Sequence, residues 1–200
     1  MFPLGTVLLP GMVLPLQVFE PRYLQLVADV AGSGDEFGVV LIERGSEVGG
    51  GDVRTDVGTV ARIMQREDLP DGRALVAAVG ARRIRVERWL DDDPYPRAEV
   101  ADWPDEAPPP DGGARRAALQ VAVRHVAALR TELAEPAPPV DIELVEDPVL
   151  GVYEAMLVAL PGAADRQALL ATPTVAERAA RLITLLAEEA EVLEARLGGR

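Results

Sequence analysis

The spacing of hydrophobic residues changes character near residue 105. Before it, short runs rich in Val and Ile alternate with turn residues, a pattern typical of β-strands. After it, Ala, Leu, Arg and Glu dominate, and apolar residues recur every three or four positions, which predicts helices. The stretch WPDEAPPPDGG (103–113) separates the two parts, because proline and glycine interrupt both kinds of element. We therefore expect two subdomains, residues 1–110 and 111–200.

The first part is predicted to form five or six short strands and one small helix. A strong turn signal, Pro70-Asp71-Gly72, joins two of the strands, since proline fixes φ and glycine accepts a positive φ. Short strands joined by hairpin turns favour a compact β-barrel. The predicted strands cover 12–18, 37–43, 57–65, 74–80, 82–89 and 97–103, and the helix covers 22–31.

The second part is predicted to form four helices, over 114–134, 148–160, 165–171 and from 175 to the region of Leu197. Asp147 before Pro148 is an N-cap followed by proline in the first helical position. Thr174 and Glu177 have the spacing of a capping box. The predicted fold class is therefore α+β, with a β-barrel that carries a small helix, followed by a four-helix subdomain.

The composition excludes several kinds of chemistry. The chain has no cysteine, and all 20 of its basic residues are arginine. Without cysteine or lysine it cannot form a disulfide, a cysteine zinc site, a P-loop, a Schiff base or a Ser-Lys dyad. The single histidine, His125, cannot build a multi-histidine metal site. We assign no catalytic residue, metal ligand or cofactor.

The net charge of −13 argues against nucleic acid as a partner, because a field of this sign repels phosphate backbones. The longest apolar runs, 39–42 and 183–187, are far shorter than the roughly 20 residues that span a bilayer. The apolar start contains prolines and no basic residue, which does not fit a signal peptide. We expect a soluble cytoplasmic protein; the sequence assigns no oligomeric state.

The stretch VFEPRY admits two interpretations. As chemistry, Glu20 would be a general base and Arg22 an anion clamp, but no companion acid, nucleophile or metal ligand is visible nearby. As structure, Phe19 and Tyr23 anchor a corner between a strand and a helix. Pro21 starts the helix, and Glu20 complements its dipole. We favour the structural interpretation.

Three long stretches resemble the N-terminal substrate-binding domain of Lon protease. Two are FPLGTVLLPGMVLPLQVFEPRYLQLV and DVGTVARIMQREDLPDGRALVAAVGARRIRVERW, and the third, LPGAADRQALLATPTVAERAARLITLLAEE, is similar to the helical tail of that domain. The resemblance covers roughly residues 1–103 and 148–190. It implies a PUA-like pseudo-barrel followed by a helical bundle.

Lon protease continues into an ATPase and a Ser-Lys protease, whereas this sequence ends at Arg200 and has no lysine. The resemblance therefore implies a stand-alone Lon-type domain: a non-enzymatic module that binds proteins or unfolded polypeptide, as an adaptor or regulator of proteolysis.

The candidate binding surface comprises the apolar residues Leu9, Met12 and Leu14 and the tryptophans Trp89 and Trp103, although buried tryptophans also serve as core residues.

Two other functions stay open. PUA-like barrels also occur as RNA-binding proteins, and four arginines lie close together at Arg82, Arg83, Arg85 and Arg88. Strand geometry places Arg83 and Arg85 on one face and the other two on the opposite face, which weakens the case for a basic patch.

A hydrolase that uses paired carboxylates has no supporting motif. The acidic turns at 91–93 and 49–52 lack the ligand spacing of a calcium loop.

Overall fold

The computed structural model describes residues 1–45, 51–106, 112–160 and 162–199. The chain divides into two compact units, Met1–Pro104 and Asp105–Arg200. The boundary predicted between residues 110 and 111 lies outside the described residues and stays a prediction.

The first unit is a six-stranded mixed sheet with one helix. Its strands follow the order β1-β3-β4-β5-β2, and β6 also pairs with β5. The β1–β3 pair is parallel, and the other pairs are antiparallel. The elements are β1 (Phe2–Leu4), β2 (Val13–Val18), α1 (Pro21–Val30), β3 (Glu36–Arg44), β4 (Val53–Asp68), β5 (Ala74–Leu90) and β6 (Arg97–Asp102).

Strand β5 organises the sheet because three strands pair with it. Its first half pairs with both β2 and β4, and its second half pairs with β6. The sequence predicts two strands here, 74–80 and 82–89, but the structure has one. A register shift places Arg82 opposite Val60 and Gly80 opposite Ala61. The extra residue, Ala81, forms a β-bulge, so the strand continues through the position where the sequence predicts a break between two strands.

The predicted barrel does not close. Strands β1 and β2 are the two ends of the sheet, and the described residues contain no pairing between them. The α+β class is confirmed, and the closed barrel is corrected to an open sheet. The sequence missed β1, because three residues that include Pro3 give no strand signal and pair with a distant strand.

Two strands of the sheet hold the apolar segment that leads into β2. Thr59 donates its hydroxyl to the backbone oxygen of Leu8 at 2.6 Å. The backbone of Gly80 donates to Met12 at 2.9 Å and accepts from Gly11 at 2.8 Å. A Cβ on Gly80 would lie 2.1 Å from the backbone oxygen of Leu9, so only glycine allows this approach.

The second unit contains the four predicted helices: α2 (Gly112–Glu132), α3 (Pro148–Ala159), α4 (Ala163–Leu170) and α5 (Val175–Gly198). The Asp147 side chain accepts from the backbone N–H groups of the first turn of α3. Thr174 and Glu177 form the predicted capping box of α5. Both caps were readable from the sequence because their partners are only a few residues away.

A buried guanidinium links the helices of the second unit. Arg178 on α5 is fully buried and donates to the backbone oxygens of Leu169 and Thr172, each at 3.0 Å. Its Nη1 lies 2.9 Å from an oxygen of Asp105, an ion pair without the alignment of a hydrogen bond. The guanidinium also stacks on the ring of Tyr153, 4.7 Å from its centroid. Buried charges persist only with such partners.

We predict that Gly80→Ala lowers the free energy of unfolding of the first unit by at least about 2 kcal/mol. The added methyl group collides with a backbone oxygen, which cannot rotate away as a side chain can. Urea unfolding followed by tryptophan fluorescence measures this, since Trp89 and Trp103 both lie in the first unit.

The matched control is Ala81→Ser on the neighbouring exposed residue, which should change stability by less than about 0.5 kcal/mol. Equal stability of the two variants would contradict the close approach at Gly80.

Candidate functional site

Strand β2 lies at one end of the sheet and presents two faces of different character. Leu14 and Val18 are buried in the core of the first unit. The alternate residues Val13, Pro15 and Gln17 are exposed on the opposite face, as the two-residue period of a strand requires. Among the described strands, β2 pairs with β5 alone, on one side.

A groove runs across the outer face of β2, β5 and β4. The register places Pro15 beside Ala77, and Gln17 beside Leu75. The same β5 residues face Gln65 and Glu67 of β4, respectively. The groove has a volume of about 460 Å³. We name it the β2 groove; it is lined by Pro15, Leu16, Gln17, Gln65, Glu67, Leu75, Val76 and Ala77.

A second cavity lies on the other side of β2. Its volume is about 180 Å³, and it separates β2 from Phe2 and Leu4 of β1, at the point where the sheet fails to close. We name it the seam pocket; it is lined by Phe2, Leu4, Pro15, Leu16, Gln17, Val18, Phe19, Glu20 and Tyr23. Because both cavities are lined by residues 15–17, we call them together the β2 surface.

The VFEPRY stretch forms the corner between β2 and α1. Pro21 is the first residue of α1, and the Glu20 side chain makes no capping bond. Instead, Glu20 accepts a hydrogen bond from Arg22 at 3.0 Å. Tyr23 is buried and stacks on Phe2, with ring centroids 4.1 Å apart. Phe19, in contrast, is 56% exposed beside the seam pocket.

The phenol of Tyr23 is a poor candidate for proton transfer. Burial raises its pKa to about 12, although the nearby guanidinium of Arg22 opposes the shift. The hydroxyl therefore stays protonated at neutral pH, and Glu20 is already engaged by Arg22. The contacts of this corner are ring stacking and an ion pair, and the ring of Phe19 is exposed. Its structural role stays a prediction.

Apolar side chains around the β2 groove are unusually exposed. Val13 is 61% exposed, Leu75 is 41% exposed, and Met64, in a bulge of β4, is 66% exposed. Single exposed apolar residues are common; of these three, Leu75 lines the β2 groove, and apolar exposure at a groove is typical of an interaction surface.

The charge left free at the β2 groove is negative. The nearby arginines each pair with a carboxylate two residues away, as in Arg22–Glu20, Arg66–Asp68 and Arg73–Asp71. Among the described residues, nothing forms an ion pair or a hydrogen bond with the carboxylate of Glu67. An incoming group at this rim therefore meets an uncompensated negative charge.

Three of the residues proposed from the sequence lie behind this surface. Leu9 and Leu14 are buried, and Met12 packs against the core from a partly buried position. They support β2 from inside, whereas the exposed residues beside them, Val13 and Pro15, form the outer face.

The two proposed tryptophans lie elsewhere on the sheet. Trp89 donates to Asp56 at 3.4 Å and stacks against Arg54. Trp103 packs against the guanidinium groups of Arg83 and Arg85, at 4.2 and 4.1 Å from its centroid. Neither lines the β2 groove or the seam pocket. The five-residue binding surface stays a prediction.

Within the described residues, the acidic and histidine side chains do not assemble into a metal site. Arg54 engages Asp52 at 2.7 Å and Asp92 at 2.8 Å. His125 is exposed and contacts Glu194 at 3.1 Å. Across the described ranges, no group of three or more such side chains could hold a metal ion. Residues 49 and 50 of the glycine-rich stretch lie outside these ranges.

Comparison with known proteins identifies the family. A model of the ATP-dependent protease La (LON) substrate-binding domain matches residues 1–188. The chain belongs to the Lon substrate-binding domain family. None of the helices in the described part of the chain is long and apolar enough to cross a membrane.

Similar full-length proteins are bacterial Lon proteases. Lon protease 1 of Herpetosiphon aurantiacus is 25% identical over 200 residues, covering 96% of this chain and 24% of that protein. Lon protease 2 of the same organism is 31% identical over 195 residues, with the same coverage. The chain thus spans about a quarter of the length of these curated relatives.

Solved structures of Lon N-terminal domains have the same fold. A Lon N-terminal domain protein from Xanthomonas campestris is 27% identical with a TM-score of 0.64, covering 92% of this chain and 95% of its own. The N-terminal domain of Mycobacterium avium complex Lon protease is 21% identical with a TM-score of 0.65, covering 92% and 96%. The Lon-type fold expected from the resemblance is confirmed.

A network of ion pairs on the sheet neutralises two further arginines. Glu36 accepts from Arg82 at 2.6 Å and from Arg62 at 2.7 Å. These hydrogen bonds, first that from Arg82, lower the pKa of Glu36 below its usual value of 4.5. Arg82 also pairs with Asp102 at 2.8 Å.

We predict that Glu36→Gln makes the stability of this Lon domain less sensitive to acid. The pKa of Glu36 is lower in the folded state than in the unfolded state. Its contribution to the free energy of unfolding is therefore complete above the unfolded-state pKa and disappears as the pH falls through the folded-state pKa. Melting temperatures measured between about pH 3 and pH 7 should fall less steeply in the variant.

Glu87→Gln, an exposed change on β5, is the control and should leave the pH profile unchanged. A variant profile parallel to that of the unchanged protein would contradict the role of Glu36.

Proposed function

We propose that this Lon substrate-binding domain recognises an extended polypeptide segment at the β2 surface and that it does so without catalysis. The observation that carries the proposal is the position of β2: among the described strands it pairs on one side only, and a cavity with a largely apolar wall lies on each side of its residues 15–17. An extended segment added to a free strand edge is a common mode of peptide recognition.

The geometry explains how such a segment would be held. Main-chain hydrogen bonds to the outer edge of β2 give affinity that is independent of the bound sequence. Side chains on one face of the bound strand reach the seam pocket, where Phe19 is exposed, and a flanking side chain reaches the β2 groove past Leu75. The exposed amides of Gln17 and Gln65 offer further hydrogen bonds at the rim.

The charge at the groove favours a particular composition. Glu67 is the uncompensated charge there, and the chain as a whole carries −13. A segment that combines apolar residues with arginine or lysine complements this surface, whereas an acidic segment is repelled. Basic apolar segments are therefore the proposed ligands.

The relatives suggest a cytoplasmic role connected with proteolysis. They are Lon proteases, and this chain corresponds to about a quarter of their length. Bound to a polypeptide segment, the domain would act as an adaptor or regulator that selects what is degraded.

RNA binding is less favoured, because the four clustered arginines are already engaged. Arg82 pairs with two carboxylates, and Arg88 pairs with Glu99 at 2.6 Å. Arg83 is buried, and Arg85 stacks on an indole ring. Phosphate contacts at these positions would have to break existing interactions.

We predict that Leu75→Ser weakens binding of a fluorescein-labelled peptide of alternating leucine and lysine about fivefold to tenfold. The change removes apolar area from the β2 groove without disturbing the core, because Leu75 is 41% exposed. Fluorescence anisotropy at physiological salt measures the dissociation constant.

Val100→Ser is the matched control, since Val100 on β6 is 40% exposed and lies outside the β2 surface. It should bind the peptide as the unchanged protein does. Equal weakening by both substitutions, or tighter binding of a peptide with glutamate in place of lysine, would overturn the proposal.

A further inference from the structure

The β2 groove has the shape of a channel that crosses the sheet from β2 to β4. The register aligns two small residues, Pro15 of β2 and Ala77 of β5, in one row that ends at Gln65 of β4. The next row consists of longer side chains, those of Gln17, Leu75 and Glu67. Because directly opposed residues lie on the same face of a sheet, the row of small residues forms the floor of the channel and the row of long ones forms a wall.

The backbone of β2 determines what a strand added at its free edge would meet. Gly80 donates its N–H to the backbone oxygen of Met12, so Met12 bonds toward β5. Since the bonding direction alternates along a strand, the backbone groups of residues 13, 15 and 17 point toward the free edge. Pro15 has no N–H and offers only its oxygen there. An added strand therefore loses one main-chain bond at Pro15, and its side chain at that position matters more.

The far end of the channel carries hydrogen-bond acceptors. Glu67 and Gln65 are exposed on β4, on the same face as the channel floor. In the described part of the chain, no group forms an ion pair or a hydrogen bond with the carboxylate of Glu67, and the arginines of the same hairpin already pair with aspartates. A carboxylate beside an amide oxygen suits a side chain that brings both a positive charge and several donors.

The width of the sheet selects the length of that side chain. Neighbouring strands lie about 4.8 Å apart, so a strand added beside β2 would lie three spacings, about 14 Å, from β4. Only two long side chains that extend toward each other bridge this gap, and Glu67 supplies one of them. Arginine is longer than lysine, and its planar fork of donors can bind a carboxylate and an amide oxygen together.

We propose that the channel binds one arginine side chain of the bound segment, that of the residue opposite Pro15, and that its guanidinium donates to Glu67 and Gln65. The stem of the arginine lies on Pro15 and Ala77 and packs against Leu75, because long cationic side chains bury their methylene groups on apolar surface. This inference rests on the proposed recognition at the β2 surface. It adds an arginine at a defined position to the basic apolar composition of the ligand.

The test compares three fluorescein-labelled peptides of alternating leucine and serine. They differ only at one central serine position, which holds arginine, lysine or citrulline, the last having the shape of arginine without its charge. Fluorescence anisotropy at physiological salt gives the dissociation constants. We expect the arginine peptide to bind roughly tenfold more tightly than the citrulline peptide and about threefold more tightly than the lysine peptide.

Two variants locate the contact. Glu67→Gln should reduce the preference for arginine over citrulline to less than about twofold, because the counter-charge is gone. Ala77→Leu should reduce it as well, since the larger side chain fills the floor of the channel. The matched control is Glu87→Gln, an exposed change on β5 outside the β2 surface, which should retain the roughly tenfold preference.

The outcomes separate the arginine channel from the recognition of a segment at β2. Equal affinities of the three peptides, or an equal loss of the arginine preference in Glu67→Gln and Glu87→Gln, would overturn the arginine channel and leave recognition at the β2 surface standing. If no peptide binds with a dissociation constant below about 1 mM, recognition at the β2 surface fails, and the arginine channel fails with it.

Discussion

The closest backbone approaches in the first unit decide where β2 lies. Gly80 lets the segment before β2 come within contact of β5, and Thr59 holds the same segment through its buried hydroxyl. Gly58 allows an equally close approach of β4 to the backbone oxygen of Val39 on β3. A side chain at either glycine would separate strands that the whole sheet needs in contact. These are the glycines of the V-G-T and A-V-G stretches, so their physical role is close packing.

That placement has a direct consequence for the surface. Once β2 is fixed on β5, its inner residues complete the core, and its outer residues and its free edge are left uncovered. Natural proteins usually protect such an edge with charge, proline or a covering element. Here Pro15 is the only one of these devices within β2 itself, and apolar cavities adjoin it on both sides. An edge that is both apolar and weakly protected is what a polypeptide-binding domain requires.

The sequence predicted the features that depend on local pattern. All four helices of the second unit and both capped helix starts were readable, as was the tight turn between β4 and β5. Features that depend on distant partners were not. The open seam requires knowledge of which strands end the sheet, and β1 is defined only by its pairing with β3.

Individual side chains show the same limit. The burial of Arg178 is stabilised by two carbonyls and a carboxylate that folding brings together, so no local sequence pattern predicts it. Phe19 looked like a corner anchor and is exposed, because α1 turns away immediately after β2.

Backbone hydrogen exchange of β2 tests the central claim most directly. With the leucine–lysine peptide bound, exchange measured by mass spectrometry should slow in Val13–Val18, because the free edge of the strand gains hydrogen-bond partners. The amides of the exposed strand β6 should exchange as before. Slower exchange confined to α2–α5, or no change in β2 at saturating peptide, would contradict recognition at the β2 surface.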